Sequence, residues 1–259
     1  MLEKSLVICY STPNYSKVTE IFLNSLQELS IPINLYHKLD NPDENLIKKD
    51  GFLSELWYYC VFNKVNHLVN ALSEFKNSDY RYFFMCDCDI QFIKNNLNEW
   101  NNLETYIEST DKDVYFMQEY IFNDANTGVY IIKNNKNIDS IIEFFNEVIL
   151  TMTNTKKEDM NRGDQTIINN LKNKLNYTYI PNEYIVFGNM IFNKYKSLVH
   201  HSIGAETIND KINHLTYINY IFNINSPQNI FMDNKNIGGL FNMLDCRLYP
   251  DDIFANHEN

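Results

Sequence analysis

The chain has 259 residues, enough for a sizeable core, and its formal net charge of −11 excludes a general attraction to nucleic acid or to an anionic membrane. A phosphorylated ligand would therefore need a metal ion, a few placed cations or helix N-termini near its charge. Five cysteines, an odd number without Cys-x-x-Cys spacing, argue against a disulfide framework or a structural zinc site and indicate a reducing, cytoplasmic setting.

Apolar periodicity predicts strands and helices that alternate along the chain. The predicted strands are 6–10, 33–36, 82–86, 114–117, 129–132 and 197–201. The predicted helices are 16–29, 53–75, 138–150, 164–174 and 205–222. The sequence shows no linker, internal repeat or signal peptide, and no apolar run of the ~20 residues that span a bilayer. We therefore expect a single domain over residues 1–259, without a membrane span.

This alternation is typical of an α/β fold with a mostly parallel, Rossmann-like central sheet flanked by helices. Ligands of such sheets bind beyond the carboxyl ends of the strands. The polar residues that follow three of the predicted strands are Ser11, Thr12, Asp87, Asp89, His200 and His201. We expect these residues to converge on one cleft.

Two aspartates, Asp87 and Asp89, lie two positions apart at the end of the predicted strand 82–86. In an extended chain such side chains project the same way, so both carboxylates can face one point. Two close carboxylates repel unless a cation lies between them or one is protonated, and oxygen ligands suit Mg²⁺ or Mn²⁺. A solvated turn or a helix N-cap would explain the same pair without a metal. Cys86 and Cys88 project to the other side and are expected to pack.

Two shorter segments carry polar groups at the edges of predicted elements. Asn126 and Gly128 precede a strand, where Asn126 could bond sugar hydroxyls and Gly128 could admit a ligand to the backbone, although a plain turn explains them better. Asp164 and Gln165 begin a helix, and Asp164 is expected to cap it. Alternatively, Asp164 could hold an acceptor hydroxyl or act as general base.

Histidines and lysines supply the remaining candidates. Only one of His200 and His201 can readily face the cleft, because neighbours on a strand point to opposite faces. A neutral imidazole there could complete the metal site, although a lone histidine is usually structural. Lys64 lies on the long helix, and Lys211 follows Asp210 on the last helix. Both lysines are expected to be solvated surface charges unless they reach a phosphate or a sugar.

The order of these segments resembles that of the GT-A nucleotide-diphospho-sugar transferases, including small viral and bacterial members. The resemblance spans nearly the whole chain and rests on the strand ending in Ser11-Thr12, the Lys64 helix leading to Asp87-Cys88-Asp89, Asn126-Thr127-Gly128, Gly163-Asp164-Gln165, and His201-Ser202-Ile203-Gly204. It implies one GT-A domain in which residues 1–125 mainly bind the nucleotide and residues 126–259 mainly bind the acceptor. UDP-sugars are the commonest donors in this family, and a glycan or glycoprotein would be the acceptor.

Taken residue by residue, the resemblance implies three groups of site residues. Mn²⁺ or Mg²⁺ would be held by Asp87, Asp89 and His201, with His200 as the alternative. The donor would be bound by Ser11, Thr12, Lys64, Asp87, Cys88, Asp89, Gly204 and Lys211. The catalytic residues that meet the sugar and the acceptor would be Asn126, Asp164 and Gln165. No nucleophile is evident and Asp164 is the candidate base, so inversion and retention of stereochemistry both stay open.

Two other functions fit parts of the same pattern. A haloacid-dehalogenase-like phosphatase also places Asp-x-Asp after a buried strand, with Asp87 as nucleophile, but that family has Thr or Val where this chain has Gln91. A nucleotide-sugar-binding module would bind UDP and metal without turnover. The intact set of Asp87, Asp89 and His201 favours an enzyme over such a module.

Overall fold

The computed structural model describes residues 1–47, 51–119, 124–188, 190–191, 193–203 and 207–223, and within these ranges the chain forms ten β-strands and seven α-helices. The strands are β1 Ser5–Ser11, β2 Asn34–Leu39, β3 Tyr82–Cys86, β4 Ile90–Phe92, β5 Val114–Glu119, β6 Asp124–Lys133, β7 Tyr177–Tyr179, β8 Ile185–Phe187, β9 Met190–Ile191 and β10 Val199–His201. The helices are α1 Ser16–Glu28, α2 Glu44–Ile47, α3 Glu55–Phe75, α4 Glu99–Ser109, α5 Ile138–Asn154, α6 Asp164–Leu171 and α7 Ile208–Asn223. A helix able to span a bilayer is not found in this part of the chain.

Each element that periodicity predicts is present, and most boundaries agree within a few residues. The largest shift is in β6, which begins at Asp124 rather than at residue 129. The elements that periodicity misses are α2, β4, α4, β7, β8 and β9. Most of these are two to four residues long, which is too short to show a repeat.

The larger sheet has six strands in the order β2-β1-β3-β6-β5-β7. The pairings β1 with β2, β1 with β3 and β5 with β7 are parallel, whereas β6 runs antiparallel to both of its neighbours. The prediction of a mostly parallel sheet is confirmed. β6 is the exception because only four residues separate it from β5, which is too few for the crossover that parallel neighbours need.

A smaller sheet of four short strands continues from the end of β3. Its order is β4-β10-β8-β9, with β10 antiparallel to β4 and parallel to β8. β4 follows β3 after only three residues, so the chain passes directly from the larger sheet into the smaller one.

The strand β3 is buried on both faces of the larger sheet. Tyr82, Phe84 and Cys86 pack with side chains of α1 and α4, and Phe83 and Met85 pack on the other side with α3 and α5. Fully burying one large apolar side chain contributes roughly 1.5–3 kcal/mol. The strand that precedes the two aspartates is therefore held firmly between two helical layers.

Candidate active site

The two aspartates lie where the two sheets meet. A turn at residues 88–89 connects β3 to β4. Asp87 stays tied to the larger sheet, because its backbone N–H donates to the carbonyl oxygen of Gly128 at 2.8 Å. One potential ligand atom from each of Asp87, Asp89 and His201 lies within 4.8 Å of the others. These three residues converge as predicted, but a turn rather than an extended chain brings the carboxylates together.

The pairing of β10 with β4 decides which histidine faces the aspartates. His201 pairs with Ile90, and its Nε2 lies 3.4 Å from Oδ1 of Asp89. His200 lies on the opposite face, with its Nε2 3.0 Å from the carbonyl oxygen of Gly188. Nδ1 of each ring is buried and has no hydrogen-bond partner among the described residues, so the direction in which the rings face separates the two histidines. His201 is therefore the candidate ligand, and the alternative, His200, is turned away from the cluster.

Gly128 makes room for the imidazole of His201. Residues 127–129 of β6 bulge out of the pairing with β5, and Oδ1 of Asn126 accepts the N–H of Gly128 at 2.9 Å within this bulge. A Cβ on Gly128 would lie 2.2 Å from Cε1 of His201. Bulges often adjoin active sites and re-aim the groups there. From the sequence, Gly128 could let a bound substrate approach the backbone. In the structure, the side chain of His201, a candidate metal ligand, packs against Gly128 instead.

Gly128→Ala is expected to lower the free energy of unfolding by about 1–3 kcal/mol, because the added methyl group overlaps the imidazole in a packed site. In a His201→Ala background the same substitution should have far less effect, since the ring is gone. Urea unfolding of the wild type, both single variants and the double variant measures the difference. An equal effect in both backgrounds would show that the contact is not the cause.

Lys64 is a buried cation in this site. Its side chain is 7% exposed, and its Nζ lies 3.0 Å from Oδ1 of Asp87, 2.9 Å from Oδ2 of Asp164 and 3.3 Å from the carbonyl oxygen of Thr127. Burial disfavours the charged amine, but the carboxylates of Asp164 and Asp87 outweigh burial and hold the pKa of Lys64 above its usual value. The expectation of a solvated surface charge is wrong, because Lys64 links the aspartate turn to α6.

Asp164 begins α6 but does not cap it. The N-cap is Gly163, whose φ of 56° favours glycine, and no described side chain caps this end. The carboxylate of Asp164 turns instead to Lys64. Burial, only partly offset by Lys64, raises the pKa of Asp164 above its usual value. The capping prediction is therefore wrong, and Asp164 is a buried carboxylate facing the same cation as Asp87.

Lys211 reaches back from α7 to the aspartate turn. Its Nζ donates to Oδ2 of Asp89. Burial of Asp89 opposes ionisation, yet Lys211 and His201 together hold the pKa of this carboxyl below its usual range. Asp210 instead forms a capping box with Thr207, because each side chain accepts the backbone N–H of the other, at 3.1 and 3.2 Å. The predicted surface pair of Asp210 and Lys211 is therefore wrong.

Two cavities lie beside this cluster, and several residues of the cluster line both of them. The main cleft has a volume of about 1160 Å³, and its lining includes Trp57, Lys64, Asp87, Asp164, His201 and Lys211. The small cavity has a volume of about 140 Å³, and its lining includes Ser11, Thr12, Cys60, Asp87, Cys88 and Asp89. The polar residues that follow β1 and β3 thus converge as predicted. Gly204 lies outside the described residues.

Residues 26–219 match the family described as nucleotide-diphospho-sugar transferase. This stretch contains Lys64, both aspartates of the turn, Asp164 and His201. The chain belongs to the nucleotide-diphospho-sugar transferases. This transferase is therefore a glycosyltransferase enzyme of the GT-A type, and neither the phosphatase nor the non-catalytic binding module describes it. No curated protein matches its sequence.

Solved glycosyltransferase structures resemble this transferase. A glycosyltransferase involved in the glycosylation of the major capsid of PBCV-1 is 14% identical with a TM-score of 0.57, over 82% of this chain and 99% of that one. The glycosyltransferase GlyE of Streptococcus pneumoniae TIGR4 is 14% identical with a TM-score of 0.48, over 89% of this chain and 64% of GlyE. The likeness to the PBCV-1 protein supports a shared single-domain α/β fold.

Sequence reasoning missed a polar group on the main cleft of the transferase. Glu119 ends β5, its Oε2 accepts from Nε2 of Gln165, and the same oxygen lies 3.4 Å from Nη1 of Arg162. Oε1 of Gln165 faces the backbone N–H of Thr127 at 3.4 Å. No local pattern marks Glu119, because its place in the site follows from the pairing of β5 with β6.

A second missed group lies beside the small cavity of the transferase. Tyr10, which lines that cavity, and Tyr59 both donate to Oδ2 of Asp40, at 2.6 and 2.9 Å. Oγ of Ser11 lies 2.7 Å from Nε2 of His37. Asp40 follows β2 directly. The expectation that ligands bind beyond the carboxyl ends of the strands, which selects Ser11, could therefore have found Asp40 as well.

Proposed function

We propose that this enzyme transfers a sugar from a UDP-sugar to a glycan or protein-linked acceptor in a reaction that requires Mn²⁺ or Mg²⁺. The cluster of Asp87, Asp89 and His201 in the main cleft carries the proposal. Family membership supports a nucleotide-sugar donor, and the cluster offers a place for its diphosphate. We assign the enzyme to the cytoplasm, where the four described cysteines, all free thiols, would stay reduced.

The three side chains of the cluster fit a hard divalent cation. The two carboxylates suit Mn²⁺ or Mg²⁺, and a neutral imidazole is the commonest metal ligand in proteins. The buried Nδ1 of His201, which lacks a partner among the described residues, shows that this ring is not fully used by the protein. Asp87, Asp89 and His201 would hold the ion. When bound, it would offset the charge of the diphosphate as the sugar leaves.

The nucleotide half of the donor would lie mainly along residues 1–125. The small cavity between Ser11, Thr12 and the aspartate turn suits a base and ribose, and Cys88 contributes to its wall. Lys64 and Lys211 contact the two aspartates and add positive charge beside the proposed diphosphate position. Gly204, three positions after His201 in the sequence, is proposed to contact the donor as well.

The sugar and the acceptor would meet mainly along residues 126–259. Oδ1 of Asn126 accepts the N–H of Gly128, and the side-chain amide N–H groups of Asn126, which bond no other described residue, would donate to a sugar hydroxyl. Gln165 supports this wall by contacting Thr127 of the bulge.

In the transfer, an acceptor oxygen bonds to the anomeric carbon while the bond from that carbon to the diphosphate breaks, and the acceptor proton passes to a base. Asp164 is our candidate base. It lines the main cleft, and burial raises the pKa of its carboxyl toward the range in which general bases work at neutral pH.

UDP with Mn²⁺ is expected to raise the melting temperature by roughly 5–10 °C when UDP is present at about a hundred times its Kd, because a ligand that binds only the folded state stabilises it. UDP without metal should raise it much less. Thermal unfolding with UDP, GDP, CDP and ADP, each with and without Mn²⁺ or Mg²⁺, measures this. A shift independent of metal would contradict the cation site, and no shift with any nucleotide would contradict the donor site.

A further inference from the structure

We propose that the acceptor is a carbohydrate whose terminal pyranose ring packs against the aromatic pair Phe52 and Trp57, while a hydroxyl of that ring bonds to Glu119. This inference rests on the transfer activity proposed above and names the acceptor class for the same site. It follows from the exposure of Phe52, from the place of the aromatic pair beside Gly163 and Asp164, and from a carboxylate oxygen of Glu119 that has no partner among the described residues.

The aromatic pair offers an apolar surface inside the main cleft. The rings of Phe52 and Trp57 form a T-shaped contact with centroids 5.0 Å apart, and both side chains line the cleft. Phe52 is 67% exposed although it is large and apolar. The exposed ring of Phe52 therefore presents its π-system toward the cleft. A pyranose ring suits such a surface, because the C–H groups on its faces pack against an aromatic ring while its hydroxyls point outward.

The aromatic pair lies beside the residues proposed to receive the acceptor. A Cβ on Gly163 would lie 2.8 Å from Cη2 of Trp57, so the residue preceding Asp164 packs directly on this indole. Arg162, the next residue toward the N-terminus, reaches Glu119. Trp57, the start of α6 and Glu119 therefore form one continuous wall of the main cleft, next to the candidate base.

Glu119 supplies a hydrogen-bond acceptor on this wall. Its described contacts, to Gln165 and Arg162, both use Oε2, and Oε1 has no hydrogen-bond partner among the described residues. A hydrogen bond to an ionised carboxylate is stronger than one to a neutral acceptor. A carboxylate oxygen and an aromatic surface on the same cleft match the hydroxyl and C–H groups of a sugar.

The volume of the main cleft leaves room for such an acceptor. At about 1160 Å³ it exceeds the roughly 300–1,000 Å³ of most pockets that hold one small molecule. The small cavity, which we assign to the base and ribose, adds further space on the donor side. A sugar acceptor can therefore bind together with the donor.

The test measures UDP release from the UDP-sugar that the enzyme hydrolyses fastest, with products identified by mass spectrometry. Methyl glycosides of glucose, galactose, mannose and xylose are compared with peptides containing Ser, Thr or Tyr. We expect the sugar to be transferred to at least one glycoside. Phe52→Ala should raise the KM for that glycoside roughly tenfold, the equivalent of a lost contact of about 1.4 kcal/mol, with smaller changes in kcat and in the donor KM.

Two further variants distinguish the loss of ring packing at Phe52 from an unspecific effect of removing an exposed aromatic side chain. Phe52→Tyr keeps a flat ring and should restore the KM for the glycoside. Tyr195→Ala is the matched control, because Tyr195 is an aromatic side chain that is 72% exposed and lines neither cavity. This variant should keep the wild-type KM for the glycoside.

Three results would overturn the inference. They are transfer to peptides but not to glycosides, no acceleration of turnover by any glycoside, and the same glycoside KM in the wild type and Phe52→Ala. If the enzyme still hydrolyses a UDP-sugar, the proposed function would stand in each of these cases. If no nucleotide binds and no UDP-sugar is turned over, the proposed function fails, and this inference fails with it.

Discussion

Asp89→Asn is expected to lower the rate of sugar transfer by about a hundredfold to ten-thousandfold, since a catalytic cation supplies several kcal/mol of charge stabilisation. Asn has the shape of Asp but no charge, so the variant would remove one of the two carboxylates proposed to hold the cation and also the carboxylate that pairs with Lys211. The variant should also lose the metal-dependent thermal shift with UDP. Initial rates over a range of Mn²⁺ concentrations, together with circular dichroism to verify folding, measure both effects.

A matched control for this variant is Asp139→Asn on α5. Asp139 is 71% exposed and pairs with Lys76 at 2.7 Å, and an exposed pair of this kind contributes about 0–1 kcal/mol. Its removal should leave transfer at the wild-type rate. If Asp89→Asn keeps the metal-dependent shift and the rate of the control, Asp89 is not a ligand.

Lys64→Met is expected to lower the free energy of unfolding by about 3–5 kcal/mol, the usual effect of removing one partner from a buried ion pair. Met fills a similar volume, so the loss would come from charge rather than from a cavity. Without the ammonium group, Asp87 and Asp164 would face each other with no compensating charge. Urea unfolding at about pH 7 measures the effect.

The difference in the free energy of unfolding between the wild type and Lys64→Met should become smaller as the pH falls from about 7 to about 5. Burial already raises the pKa of Asp164 in the wild type, and removing Lys64 removes the main influence that opposes it. The folded variant would then bind a proton that the unfolded chain does not, so its stability increases as the pH falls. Lys76→Met, which breaks the exposed pair, is the control and should show no such trend. A difference below about 1 kcal/mol, or one that is constant with pH, would show that the three groups are not coupled.

The sequence predicts those elements whose burial follows a regular repeat. β3 is an unbroken apolar run, and α3 has apolar residues at helical spacing over 21 residues, so each can be recognised from its own residues. The strands β8 and β9 have only three and two residues. They exist because neighbouring strands satisfy their backbone groups, and no repeat within either segment can reveal that. The direction of β6 likewise depends on a pairing rather than on its own composition.

The sequence predicts those residues of the candidate site that directly follow a strand, because ligands bind beyond the carboxyl ends of the strands. Asp87 and Asp89 follow from the end of a buried strand, but the choice of His201 over His200 requires the pairing of β10 with β4. Lys64 and Lys211 could not be assigned in this way, because lysines on amphipathic helices are exposed by default. Each is buried by partners on other elements, which periodicity along one helix does not report.

The alignment of β4 with β10 also sets which imidazole faces the proposed cation site. These strands have three residues each, and His201 is held beside Asp89 through its pairing with Ile90. A slip of one residue would turn every side chain of β10 to the other side and remove His201 from the cluster. The proposed cation site therefore depends on two short ladders, the antiparallel pairing of β10 with β4 and its parallel pairing with β8, in which His201 lies opposite Phe187. Substitutions far from the cleft that loosen these pairings would weaken cation binding without changing any of the three proposed ligands.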